Sequence, residues 1–202
     1  MNYLRTISAV DESIGKLDQY LRQRGMLDDT VLIFTSDNGF NIGVHQGPVD
    51  KRIMYEESLR IPLFIKYPKL IKPGSKIKQM ALNIDIAPTI LDLAGAPIPD
   101  TMQGRSLVPL LKGQTKNWRK SFLYEYFQEK DFLPGIVTMV GVRTERYKYI
   151  HYPELKDDID ELYDLKKDPI EMKNLINDSK YAHILKDLKK ELDRLIKKTG
   201  YN

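Results

Sequence analysis

Val31-Leu-Ile-Phe-Thr-Ser-Asp-Asn-Gly39 is an apolar run that ends in a carboxylate, an amide and a glycine. Val31 to Phe34 are uniformly apolar instead of alternating, the pattern of a strand covered on both faces in a parallel sheet. Upstream, Leu4, Ile7, Val10, Ile14, Leu17 and Leu21 recur at steps of three and four, which predicts a helix with one buried face. Gly25 stands where a helix commonly ends, and Asp28 and Asp29 carry the chain round to the apolar run. Helix, short turn and buried strand are half of a βαβ unit, so the fold class expected is α/β.

Working outward, a polar segment from Gly39 to about Lys51 shows no period, and segments of this length without their own structure usually carry function or are disordered. A short helix near Tyr55 to Leu59 and a second apolar strand, Pro62 to Lys66, follow. Asn83 to Ala94 reads as a helix with Pro88 in its first turn and Gly95 beyond its end. After about residue 114 the composition changes. Phe122 to Tyr126, Ile136 to Arg143, Tyr147 to Ile150 and Glu161 to Leu165 are short segments rich in aromatic and β-branched residues, separated by turn residues. Thr144-Glu-Arg146 is expected to connect two antiparallel strands, and Ile184, Leu188, Leu192 and Leu195 to share one face of a final helix. The organisation expected is therefore an α/β part over residues 1–114 and a small α+β subdomain over 115–202, with an antiparallel sheet and a terminal helix.

Composition bounds the function. A chain of 202 residues that is 42% hydrophobic is long enough for one sizeable core. A net charge of +4, from 32 basic against 28 acidic residues, is too small a surplus to argue for nucleic acid. With no cysteine there is neither a disulfide framework nor a thiolate metal site. No apolar stretch approaches the roughly 20 residues that span a bilayer.

Asp37 and Asn38 each offer an oxygen ligand of the kind Ca²⁺ and Mg²⁺ prefer, at the carboxyl end of a strand where α/β sheets bind ligands. Asn-Gly after an apolar run is also a type I′ hairpin signal, and on the residues alone both readings stand. Lys51 is a compact donor able to hold an oxyanion, or a solvated loop lysine. His45 is a candidate substrate contact, or a surface or hydrogen-bonding residue. Arg143 to Tyr147 are candidates for a sugar site, although cross-strand pairing explains them equally well.

Thr35-Ser-Asp-Asn-Gly39, Asp50-Lys-Arg52 and Met54-Tyr-Glu-Glu-Ser-Leu-Arg-Ile-Pro62 run in the order and spacing of the sulfatase family, and resemble most the branch acting on 6-sulfated N-acetylglucosamine. The resemblance implies an alkaline phosphatase-like fold, with Asp37 and Asn38 as downstream metal ligands and Ca²⁺ (or Mg²⁺) as the ion. It implies Lys51 as the catalytic lysine and His45 as a substrate or sulfate contact. Gly104 to Leu107 and Glu161 to Pro169 resemble signatures of sulfatase C-terminal regions, where they would pack the smaller subdomain.

The family's nucleophile is a formylglycine made from Cys or Ser within Cys/Ser-x-Pro-x-Arg, and no such motif occurs here. The resemblance therefore maps onto the C-terminal half or so of a whole enzyme. On that basis the chain is expected to be inactive alone and to have an N-terminal half or a second copy as its protein partner. Sulfated carbohydrate is the expected substrate and the periplasm or extracellular space the expected location. A non-catalytic module binding anionic glycans, or part of a related phosphodiesterase or phosphonate hydrolase, are the alternatives.

Overall fold

A computed structural model describes residues 2–43, 45, 51–129, 135–155 and 159–200. Of the motif Gly43-Val-His-Gln-Gly47, positions 44, 46 and 47 lie outside the described residues, as does Asp50.

Helix α1 spans Asn2–Gln23 and gives way at Gly25, whose φ of 65° is the left-handed conformation that glycine adopts without steric cost. Strand β1 (Leu32–Thr35) pairs with β2 (Leu63–Lys66) in antiparallel register, Leu32 opposite Lys66 and Thr35 opposite Leu63. The expectation of a parallel neighbour is thereby corrected among the described residues. A uniformly apolar run reports cover on both faces, and all of β1 is half-buried, but it carries no information about the direction of the paired strand. Helix α2 (Glu56–Leu59) precedes β2. Lys66 of β2 pairs with Asp18 of α1.

A second correction concerns α1. Leu4, Ile7, Val10, Ile14 and Leu17 are exposed, and only Leu21 of the periodic set is buried. The period is helical as expected, but the stripe it creates is not covered by any described residue.

Helix α3 (Ile86–Leu93) and the short α4 (Val108–Leu111) are joined through one buried carboxylate. Asp85 accepts from the backbone N–H groups of Leu82 and Arg105, both at 2.8 Å, and from the Arg119 guanidinium. Gly104 lies against this node, where a Cβ would stand 1.9 Å from the Ile84 carbonyl oxygen. Thr89 extends the node, its hydroxyl accepting from Leu107 N–H at 2.8 Å. The Gly104 to Leu107 segment thus packs against the start of α3.

The remaining strands form an antiparallel meander: β3 (Ser121–Tyr126), β4 (Met139–Thr144), β5 (Tyr147–His151) and β6 (Glu161–Asp164), adjacent in that order. Thr144 to Arg146 make the expected connection, the Thr144 hydroxyl accepting from Tyr147 N–H at 2.9 Å. Helix α5 (Ala182–Thr199) covers one face of the sheet, its Leu188, Leu192 and Leu195 buried against Val140, Val142, Tyr149 and Leu162. On the opposite face Met139, Ile150 and Tyr163 bury Met54, two residues before α2. The meander is therefore a layer between α5 and the segment that leads back to Lys51. An alternating β-strand points successive side chains to opposite faces, so Lys148 shares the Met54 face with Ile150.

Candidate active site

At the end of β1 the Ser36 hydroxyl spans the next two residues, 2.9 Å from the Asn38 carbonyl oxygen and 3.3 Å from Asp37 Oδ1. Gly39 N–H then donates to the Ser58 carbonyl at 2.8 Å, which bolts the strand end to α2. A Cβ at Gly39 would lie 2.0 Å from the Glu57 carbonyl oxygen, so this close approach requires glycine. Neither Asn38 nor Gly39 has a positive φ, which a type I′ turn needs at both positions, and β1 pairs with the distant β2. The hairpin alternative is excluded.

The Asp37 carboxylate faces solvent, with its side chain 81% exposed, and Lys51 Nζ stands 3.9 Å from its Oδ2. The Asn38 backbone N–H above all, then the backbone N–H of Asp37 itself, the Ser36 hydroxyl and the Lys51 charge, hold the Asp37 carboxyl below its ordinary range. An ion pair this exposed is screened and exchanges readily with other partners. Asn38 donates its amide nitrogen to the Gly39 carbonyl at 2.7 Å, and its amide oxygen takes no hydrogen bond among the described residues. Asp37 and Asn38 thus offer two oxygens of the hard type at one strand end. Calcium takes about 6–8 such ligands, and among the described residues no cluster of three or more acidic or histidine side chains converges. The donor chemistry fits a divalent cation, and the donor number requires ligands from elsewhere.

His45 is placed differently. Its ring stacks flat on Tyr55, with centroids 3.9 Å apart and planes within 2°. Nε2 lies 3.2 Å from the Glu171 carbonyl oxygen, and Nδ1 faces Glu57 Oε2 at 3.8 Å. Nε2 therefore addresses an acceptor of the protein itself, while Nδ1 and Glu57 Oε2 face each other beyond hydrogen-bond distance. The structure brings Asp37, Asn38 and Lys51 to one strand end and engages His45 with the small sheet and α2.

Beneath these residues lies a buried polar layer. The Tyr55 hydroxyl donates to Glu161 at 3.1 Å, and the Tyr152 and Tyr163 hydroxyls donate to the same carboxylate. Burial first, and then the Glu161 charge, raise all three phenols far above their usual ionisation range. Lys148, with no exposed side-chain surface, donates to the Met54 carbonyl at 2.6 Å and pairs with Glu56 at 3.0 Å and Glu171 at 2.6 Å. Glu171 Oε2 in turn accepts from Glu56 N–H at 2.6 Å. Burial would raise Glu56, but the Arg143 hydrogen bond and the Lys148 charge outweigh it and hold the carboxyl low. Burial pushes Glu171 up, against the opposing pull of Lys148.

Glu56 anchors the second sheet: Arg143 Nη2 meets its Oε2 at 3.0 Å. Arg146 binds Asp164 of β6 at 2.8 Å and lies over the Tyr147 ring, so pairing across strands accounts for Arg146, whereas Arg143 pairs with a helix residue. They also line an open cleft of about 500 Å³ with Glu56, Arg60, Glu145 and Lys166. His151 ends β5 and pairs with Asp160 at 2.9 Å, a structural contact. Lys148, Glu161 and Glu171 were not singled out from sequence. The signal for Lys148 was its placement two residues before Ile150 in a strand, on the face that Ile150 buries.

Residues 44–198 match the model of the N-sulphoglucosamine sulphohydrolase C-terminal family. The chain belongs to the sulfatases. It is 45% identical over 197 residues to the N-acetylglucosamine-6-O-sulfatase of Bacteroides thetaiotaomicron, covering 95% of this chain and 34% of that protein. It is 41% identical over 124 residues to human N-acetylglucosamine-6-sulfatase, covering 60% of this chain and 22% of the relative. Among solved structures, BT4656 in complex with its substrate D-glucosamine-2-N,6-O-disulfate superposes with a TM-score of 0.91 at 42% identity, over 99% of this chain and 40% of that one. The phosphonate monoester hydrolase of Agrobacterium radiobacter superposes with a TM-score of 0.83 at 30% identity, over 96% of this chain and 40% of the other. This sulfatase chain therefore spans about a third to two-fifths of the length of these bacterial relatives, and its fold is that of the alkaline phosphatase-like sulfatases.

Proposed function

We propose that this chain supplies one wall of a site that hydrolyses sulfate esters of carbohydrate, with 6-sulfated N-acetylglucosamine or a related sulfated glucosamine as the substrate class. One observation carries the reading: the Asp37 carboxylate and the Lys51 ammonium meet within 3.9 Å beyond the end of β1, on a strand end that tight contact at Gly39 holds in place. Asp37 and Asn38 would hold a Ca²⁺ or Mg²⁺ ion, which when bound neutralises charge on the ester oxygens. Lys51 orients the sulfate and stabilises charge on the departing oxygen. His45, engaged by Glu171 and Tyr55, steadies this wall rather than reaching the sulfate.

The remaining metal ligands and the formylglycine nucleophile belong, in this reading, to an N-terminal part of the enzyme, because no Cys-x-Pro-x-Arg or Ser-x-Pro-x-Arg occurs in the sequence. The chain by itself is then inactive, and a periplasmic or extracellular location is the one that its family resemblance implies. The test is hydrolysis of N-acetylglucosamine-6-sulfate with Ca²⁺ by the chain alone, and by the chain joined to the N-terminal part of the Bacteroides relative. The joined protein turns over and its Lys51→Ala variant loses at least about a hundredfold, the scale of removing one transition-state donor. Turnover by the isolated chain, or a joined Lys51→Ala variant as active as its parent, refutes the assignment.

The likeness to a phosphonate monoester hydrolase favours a second reading, in which the same wall serves a phosphorus ester. An aryl phosphonate offered to the joined protein beside the sulfate ester separates the two by their kcat/KM ratio.

A further inference from the structure

We propose that Glu171 and Lys148 are positioning residues for His45 and for the stretch from Lys51 to Glu56, so that the small sheet subdomain aims the anion-binding wall. The inference rests on the sulfatase reading for what Lys51 does, and on geometry alone for what holds it.

Glu171 meets both. Its carbonyl oxygen faces His45 Nε2 at 3.2 Å, and its carboxylate accepts from Glu56 N–H at 2.6 Å. The first N–H groups of a helix have no partner within it, so Glu171 acts as a remote cap for α2, where the residue at the cap position, Tyr55, makes no side-chain cap bond. Lys148 grips the same place from the other side. Its ammonium donates to the Met54 carbonyl at 2.6 Å and pairs with the carboxylates of Glu56 and Glu171. The backbone groups on both flanks of Tyr55 are thereby tied to one buried ion pair, and the Tyr55 ring is the platform under His45.

Two features distinguish this arrangement from ordinary packing. Glu171 holds a φ of 56°, a left-handed conformation that costs free energy in a residue with a side chain, and such conformations persist where the surroundings over-determine them. A buried ion pair is also a poor way to gain stability, since apolar side chains of similar volume often do as well or better. Its distinct property is that it draws Lys148, Glu56, Glu171 and the Met54 carbonyl to one point, an arrangement that other geometries do not reproduce. That arrangement fixes the carbonyl of Met54, the N–H of Glu56 and the ring of His45 relative to the meander.

The experiment uses the full 202-residue chain. Glu171→Gln and His45→Phe are compared with the parent, the latter keeping a ring on Tyr55 and losing only its polar contacts. A third variant, Lys148→Met/Glu171→Met, replaces the ion pair with apolar volume and covers the case in which Glu171→Gln fails to fold. Lys51 acetylation by acetic anhydride is followed by mass spectrometry at one pH, with amide hydrogen exchange in α5 as the measure of global stability.

Expected are a Lys51 acetylation rate about fivefold higher in both single variants, the scale of one lost hydrogen bond, with unchanged α5 exchange. In the double variant α5 exchange likewise stays near the parental level while Lys51 stays fast. Parental Lys51 rates in His45→Phe and in every variant that folds overturn the proposal. So does acceleration of Lys51 in step with α5 exchange, or a double variant with parental Lys51 behaviour, since each assigns the pair to general stability. No readout involves hydrolysis, so an inactive joined enzyme would sink the sulfatase reading and leave this result standing.

Discussion

Lys148→Met is the substitution whose consequence the structure defines most sharply. The lysine amine has no exposed surface, donates to the Met54 carbonyl and neutralises two carboxylates. Methionine fills nearly the same volume, so the cavity contribution is small and the electrostatic one decides. Glu56 keeps its Arg143 partner at 3.0 Å, whereas Glu171 is left with a single backbone N–H, that of Glu56. One buried carboxylate thus loses its counter-ion. Breaking a buried pair in this way costs about 3–5 kcal/mol, and with Arg143 still in place the lower end, about 3 kcal/mol, is expected. That is a large fraction of the roughly 5–15 kcal/mol that holds a typical domain together. Removing Glu171 as well should restore most of it, leaving about 1 kcal/mol for the Glu56 N–H without its acceptor. Urea unfolding followed by far-UV circular dichroism measures each step. A single variant within about 1 kcal/mol of the parent, or a double variant no better than the single, would refute the reasoning.

Gly39→Ala forces a methyl group into the Glu57 carbonyl and should cost at least the 1–3 kcal/mol typical of overpacking, roughly, because backbone cannot swing aside as a side chain does; the urea midpoint reads it. Leu192→Ala, at the centre of the α5 face, should cost about 2–5 kcal/mol by the same measurement. Stability should also carry two opposed pH limbs. Burial raises the folded Glu171 carboxyl above its ordinary 4.5, so its contribution grows as pH falls through the folded value toward 4.5 and is lost as pH rises; Glu171→Gln should flatten that limb of a Tm–pH curve. Despite the raising effect of burial, Arg143 and Lys148 hold folded Glu56 below 4.5, so its contribution is complete above 4.5 and is lost as pH falls through the folded value; Glu56→Gln should flatten the acid limb. The exposed stripe of α1 should drive association, so Ile14→Glu/Leu17→Glu should lower the weight-average mass seen by light scattering at high concentration, and an unchanged mass would count against that role.

The elements built from local pattern were legible from sequence. The leucines of α5, the Thr144 to Arg146 connection and the glycine after α1 each express a rule of period or backbone conformation that acts over a few residues. The direction of the β1 partner was not legible, because β2 lies far along the chain and burial of a strand is blind to the orientation of its neighbour. The α1 stripe was read correctly as a stripe and wrongly as covered, since periodicity records which residues seek a partner and not whether one is present. At the candidate site Asp37, Asn38 and Lys51 were singled out by residue type and by the resemblance, and that they lie together needed coordinates. The buried layer escaped because lysine and glutamate in short strands ordinarily signal a solvent face. Only the side that Lys148 shares with Ile150 betrays it, and the partners that make its burial tolerable come from segments remote in sequence.

Gathering three phenols around Glu161 has a practical corollary. A tyrosine hydrogen-bonded to a carboxylate emits weakly, and this chain holds 12 tyrosines against a single tryptophan. Should Met54 to Glu57 lift away from β6, Tyr55 would lose its acceptor and brighten. Intrinsic emission near the ultraviolet edge would then report, without any label, the moment at which the wall bearing Lys51 parts from the sheet that steadies it.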